Sequence, residues 1–165
     1  MMGIQIKNKF KKAFTLIEML VVISLIGILA ALALASFSSA QKQARDTARK
    51  SDLKQYQSAL EVYANLASGL YPGRTASVPA YSTLCTDLNV RLEPDITCPE
   101  DSKYASDSTF TYRYISDGST GTTSATKYVL WGKLENKSTT TYWVVCSNGK
   151  NGESVTAPSS SSCPI

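Results

Sequence analysis

Histidine is absent from all 165 residues. That removes the Ser-His and Cys-His nucleophile systems. It also removes the commonest zinc ligand, and none of the four cysteines forms a CxxC pair, so a zinc site is not expected. Proline does not occur before Pro72, which excludes a proline kink from the N-terminal third. No acidic residue precedes Glu18, and no charge of either sign occurs from Met19 to Ala40. A net charge of +4 suggests basicity, but Lys7, Lys9, Lys11 and Lys12 account for it. The remaining 13 basic side chains meet 13 acidic ones, leaving little general reason to expect a nucleic-acid partner. No convergent pair of acids suggests catalysis either, and the chain reads as structural rather than enzymatic.

What is present is a short basic leader running into a long apolar segment, Lys11–Ser39, with one carboxylate, Glu18, just inside it. The uncharged part is about 33 Å long as a helix, enough to cross a bilayer core of about 30 Å. An acid in such a run is costly unless it is paired. Three readings compete. A secretory signal would be cut near Ala33-Leu34-Ala35 and discarded, but Glu18 and the length of the run oppose it. A plain signal anchor would keep the helix and leave Glu18 without a role.

The third reading rests on Lys11-Lys12-Ala13-Phe14-Thr15-Leu16-Ile17-Glu18 and the apolar run that follows. This stretch resembles the processing site of type IV pilins and type II secretion pseudopilins, with Ala13 where that family usually has glycine. The resemblance covers roughly Lys11 to Ala35. It implies cleavage between Ala13 and Phe14 by a prepilin peptidase on the cytoplasmic face, followed by N-methylation of Phe14. The cut precedes the apolar helix and keeps it. It also creates an ammonium at Phe14, four residues from Glu18. Glu18 is then expected to attract the Phe14 amine of a neighbouring subunit and set axial register; the alternative is pairing with its own terminus.

Gly27, Ala31, Ala35 and Ser39 recur every fourth residue, a stripe of small side chains suited to close helix packing. Further on, Leu53, Tyr56, Leu60, Tyr63 and Ala67 form one apolar stripe on an otherwise polar helix. Gly69 and Pro72-Gly73 close it. A helix over about 14–68 follows, near 80 Å if unbroken, with 14–40 as membrane span and filament core. Residues 1–13 are then the leader and 69–165 a globular head. Between the apolar and amphipathic halves lie Lys42, Arg45, Asp46, Arg49, Lys50, Asp52 and Lys54. Lys42, Arg45 and Arg49 are candidate contacts for anionic headgroups, acids of neighbouring subunits, or DNA. The bland alternative is a solvated face with Asp46–Lys50 as an i,i+4 pair.

From Leu70 to Ser108 the chain reads as loops. Thr109–Ser116, Lys127–Leu134 and Thr140–Cys146 read as strands, with Phe110, Tyr112 and Tyr114 on one face of the first and Tyr128, Leu130 and Leu134 on one face of the second. The class is α+β: a long helix on a small antiparallel sheet of about three to four strands, which resembles the pilin fold. Ser147–Ile165 reads as a tail with turns at Asn148-Gly149 and Asn151-Gly152.

Cys85, Cys98, Cys146 and Cys163 favour disulfides in an oxidising compartment. Three connectivities are open. The sequential one, Cys85–Cys98 with Cys146–Cys163, is preferred because pilins often carry a C-terminal disulfide loop. Asp87, Glu93, Asp95, Glu100 and Asp101 are acidic, and some pseudopilins bind calcium in the head, but the spacing specifies no site. Asn136-Lys137-Ser138 is a formal sequon, and Gly118–Thr126 and Ser159–Ser162 are Ser/Thr-rich; surface loops explain all three.

The expected function is that of a structural subunit of a type IV pilus-like filament. Its partners would be copies of itself, the peptidase, an inner-membrane assembly platform and, before assembly, the membrane. A single-pass precursor in the cytoplasmic membrane would become part of an extracellular filament. A secretion pseudopilin and a DNA-uptake pilin are the rival roles.

Overall fold

The computed structural model describes residues 14–92 and 96–165, the side chains of 33–36 excepted. The lysine leader, Ala13, Glu93, Asp95 and the side chain of Ala35 therefore lie outside the described residues. The first element is the 51-residue helix α1, Leu16–Leu66. Contacts divide the chain within it, into Met1–Ser39 and Ala40–Ile165.

In the first unit every described residue from Phe14 to Leu32 is exposed. The sequence there has no polar stripe, so no face of the helix is distinguished as outer or inner.

The second unit is built on the amphipathic half of α1. Its stripe is buried as the spacing requires: Leu53, Tyr56, Leu60, Tyr63 and Ala67 are all almost inaccessible. Each large apolar member contributes about 1.5–3 kcal/mol on burial. The helix stops where Ser68 and Gly69 take positive φ, and the Gly69 amide returns to the Ala64 carbonyl at 2.8 Å.

After α1 come β1 (Tyr71–Pro72), β2 (Val78–Pro79), a π-helical turn (Ala80–Leu84) and α2 (Cys85–Asn89). Then follow β3 (Arg113–Ser116), β4 (Thr123–Ala125), β5 (Tyr128–Lys133), β6 (Tyr142–Cys146) and β7 (Asn151–Ser154). The main sheet is antiparallel in the order β2-β3-β5-β6-β7, and β1 pairs separately with β4. The three expected strands form the centre of the sheet, although of Thr109–Ser116 only Arg113–Ser116 is strand. The full count is five, because β2 and β7 extend it on either side. Asn148-Gly149 does turn, with Gly149 at φ 82°, but Asn151-Gly152 lies inside β7 rather than turning.

The stretch expected to be loop also contributes to the core. Ala80, Leu84 and Leu88, four residues apart, are fully buried. That apolar spacing is the helical signal in a segment whose Pro, Ser, Thr and Asp content points to loops.

The sheet buries both faces. One face carries Tyr112, Tyr114, Tyr128, Leu130 and Val145 into the cluster around α1. Tyrosines of this cluster reach α1 carboxylates: Tyr128 of the sheet and Tyr71 of β1 donate to Glu61 at 3.0 and 3.1 Å, and Tyr112 to Asp52 at 2.6 Å. Burial, reinforced by these acids, raises the pKa of all three phenols, which stay protonated donors. The other face holds Ile115, Val129, Trp131, Val144 and Cys146, with Cys163 and Ile165 packed on it. Disulfides join Cys146 to Cys163 and Cys85 to Cys98. The first holds the C-terminal tail over this second face.

Candidate functional site

Two groups of residues carry the chemistry singled out by sequence: the start of α1 and the charged run at 42–54.

At the start of α1 the apolar side chains are exposed. Phe14, Leu16 and Ile17 are 73%, 83% and 71% exposed, and Glu18 is exposed in the first turn. Thr15 caps the helix: its Oγ1 accepts the Glu18 amide at 3.2 Å. Thr15-Leu16-Ile17-Glu18 has the Thr-x-x-Glu spacing of a capping box, a signal the reading of Glu18 as a register residue overlooked. Glu18 thus has a local reason to be where it is, since a negative charge is favourable in the first turn of a helix. Gly27 and Ala31 are exposed, and a side chain at Gly27 would meet nothing within 4 Å.

The charged run is mostly turned inward. Arg45 forms a two-pronged bridge to Glu135, with Nε to Oε2 at 2.7 Å and Nη2 to Oε1 at 2.8 Å. Arg49 is 2% exposed. It donates to Asp46 at 2.7 Å and to both oxygens of Asp101, and it lies 4.5 Å from the Phe110 ring centroid. Asp46 also accepts the backbone amides of Glu135 and Asn136, each at 2.8 Å. Lys103 donates to Glu135 at 3.1 Å. Three cations (Arg45, Arg49, Lys103) therefore meet three carboxylates (Asp46, Asp101, Glu135).

The electrostatics follow from these partners. Burial opposes the Arg49 charge, but its bonds to Asp101 and Asp46 prevail and raise its pKa. The Arg45 bridge, working against burial and helped by Lys103, holds the Glu135 carboxyl down at about 2.

This corrects two expectations. Arg45 and Arg49, expected as contacts for an anionic partner, already have acids of this chain, Glu135 and Asp101, as partners. Asp46 does not pair with Lys50 either. Lys50 instead lies 4.2 Å from the Trp143 ring and 4.0 Å from Glu153, while Asp46 pairs with Arg49. Lys42 is half-buried. The local sequence carried no signal for Asp101 and Glu135, which lie 52 and 90 residues from Arg49 and Arg45.

Of the acids considered for calcium, Asp87, Glu100 and Asp101 are described. Asp87 bridges Arg74 at 2.6 Å, Asp101 holds Arg49, and Glu100 is exposed. Among the described residues no group of three metal-ligating side chains comes together.

Residues 8–34 match a family described as the prokaryotic N-terminal methylation motif. The chain carries a type IV prepilin signal. That signal is common to pilins and pseudopilins, and with the apolar helix it fits a membrane-anchored precursor of that kind. The α+β layout, a long N-terminal helix followed by antiparallel sheet, is consistent with the pilin fold. No significant match was found among curated proteins or solved structures.

Proposed function

We propose that the chain is a structural subunit of a type IV pilus-like filament. One observation carries this reading: the methylation motif at residues 8–34 leads into a helix whose apolar side chains, from Phe14 to Leu32, have no cover of their own. Side chains such as Ile17, Ile23, Ile28 and Leu32, each more than 60% exposed, need lipid or protein around them. A subunit first stored in a membrane and then packed into a fibre core meets that need in both states.

In this reading a prepilin peptidase cuts between Ala13 and Phe14, and Phe14 is N-methylated. Residues 14–40 span the cytoplasmic membrane before assembly. An inner-membrane platform then adds the subunit to the growing fibre. Glu18 loses water on entering that core, and the Phe14 ammonium of an adjacent subunit supplies its partner. Gly27, Ala31 and Ala35 let neighbouring helices approach closely. The globular unit is carried outside, where its cysteines oxidise. The protein is structural, and the only covalent chemistry at its N-terminus is done to it.

Mass spectrometry of purified surface filaments tests the proposal. The expected species begins at methylated Phe14 and is an integral filament component. A mature chain beginning at Ser36 would remove the helix and the proposal with it. Glu18→Ala should be cleaved normally yet fail to assemble; normal assembly of this variant would remove the register role and leave capping as the function of Glu18. Long surface fibres made of this chain would separate the pilus from a secretion pseudopilus. The DNA-uptake role is less supported, because Arg45 and Arg49 already pair with Glu135 and Asp101.

A further inference from the structure

The face of the sheet turned away from α1 carries a pocket, lined by two cations, several hydroxyls and two aromatic side chains, that the filament reading does not use. Its placement follows from register. Arg113 on β3 lies opposite Trp131 on β5, and Lys133 on β5 lies opposite Tyr142 on β6. Residues two apart on a strand share a face, so all four stand together. With hydroxyls from Ser77, Ser108, Thr109 and Thr111, and with Pro158 of the disulfide-held tail, they line a cavity of about 290 Å³. That is close to the lower end of the roughly 300–1,000 Å³ typical of small-molecule sites.

The two cations are positioned. Arg113 donates through Nε to the Ser77 hydroxyl at 2.6 Å and through Nη2 to the Ser77 carbonyl at 2.9 Å. Nη1 has no protein acceptor among the described residues. Lys133 donates to Thr109 Oγ1 at 3.1 Å and rests 4.8 Å from the Phe110 ring centroid. Among the described residues no carboxylate lines the cavity. The acid nearest in this hydrogen-bond chain, Asp107, is occupied by Thr109, accepting its amide at 3.0 Å and its hydroxyl at 2.7 Å.

We propose that this pocket binds an anionic saccharide, with Arg113 and Lys133 taking its carboxylate or sulfate and the Ser77, Ser108 and Thr111 hydroxyls taking ring hydroxyls, while Thr109 holds Lys133 in place. Fixed guanidinium and ammonium groups suit a compact oxyanion. The mixture of hydroxyl donors and acceptors suits a polyol, and the Trp131 and Tyr142 edges supply an apolar wall. A nucleic acid fits less well. It needs a track of cations and exposed aromatic faces, whereas Trp131 is 3% exposed and only two cations are present. The inference is independent of whether the chain forms a filament.

The test is calorimetric titration of the full chain in detergent micelles with trigalacturonate, maltotriose, inorganic phosphate and a single-stranded oligonucleotide. Trigalacturonate should bind at least tenfold more tightly than maltotriose or phosphate. Lys133→Gln should weaken it at least tenfold, and Lys127→Gln, in the turn before β5, should not. Arg113→Gln should act likewise; because Arg113 also tethers Ser77, Arg113→Lys serves as the variant that keeps the charge, and Lys133→Gln decides the matter if Arg113→Gln does not fold. Four results would overturn the proposal: no trigalacturonate binding, equal binding by Lys133→Gln, equal affinity for maltotriose or phosphate, or tighter binding of the oligonucleotide that Lys133→Gln abolishes.

Discussion

Replacing Arg49 by methionine should be among the most damaging single changes in the globular unit. Methionine keeps most of the volume and the contact with Phe110 but removes the charge. Asp101 would lose both guanidinium bonds while its side chain stays 2% exposed, and Asp46 would lose one of its three donors. Asp101 retains only the Lys103 amide, at 2.8 Å. Breaking a buried pair in this way costs about 3–5 kcal/mol, because the remaining charge is stranded. Removing the carboxylate as well, in Arg49→Met with Asp101→Leu, should recover most of that loss. The assay is urea unfolding of the oxidised chain in detergent at pH 7, followed by tryptophan fluorescence, with the parent chain and the three variants of the double-mutant cycle compared. A loss below about 1 kcal/mol for Arg49→Met, the range of an exposed ion pair, would refute the reasoning.

Three further outcomes follow from the same structure. Glu135 is held near 2 against an ordinary 4.5, so the native state binds its proton less readily than the unfolded chain does; its stabilising contribution is complete above about 4.5 and is lost as pH falls toward 2, and Glu135→Gln should flatten that part of a stability-versus-pH curve. A β-carbon at Gly132 would come within 2.9 Å of the Tyr112 ring, so Gly132→Ala should cost about 1–3 kcal/mol in the same urea assay by crowding the sheet against α1. Replacing Cys146 and Cys163 together by serine should cost about 3 kcal/mol in the chain-entropy account of a loop spanning 17 residues and shift Trp131 emission to the red as the tail lifts; unchanged emission would show that the tail does not need its bond.

The sequence by itself determined whatever depends on order along the chain. The prepilin signal, the unbroken apolar run, the stripe from Leu53 to Ala67 and the three central strands are all patterns of near neighbours. Helix and strand periods convert such patterns directly into faces. Three-dimensional structure alone decided which distant residues meet. Lys42–Lys54 reads as a solvated or partner-binding charge run, and nothing near it in sequence announces Asp101 or Glu135. β7 was hidden because Asn151-Gly152 is a turn signal locally but lies in a strand once β6 offers an edge to pair with. The pocket on the far face has the same origin: Arg113, Lys133 and Ser77 are unremarkable apart, and only strand register places them around one cavity. Local propensity is written in a few adjacent residues, whereas charge pairing and sheet registry depend on how loops of many residues close.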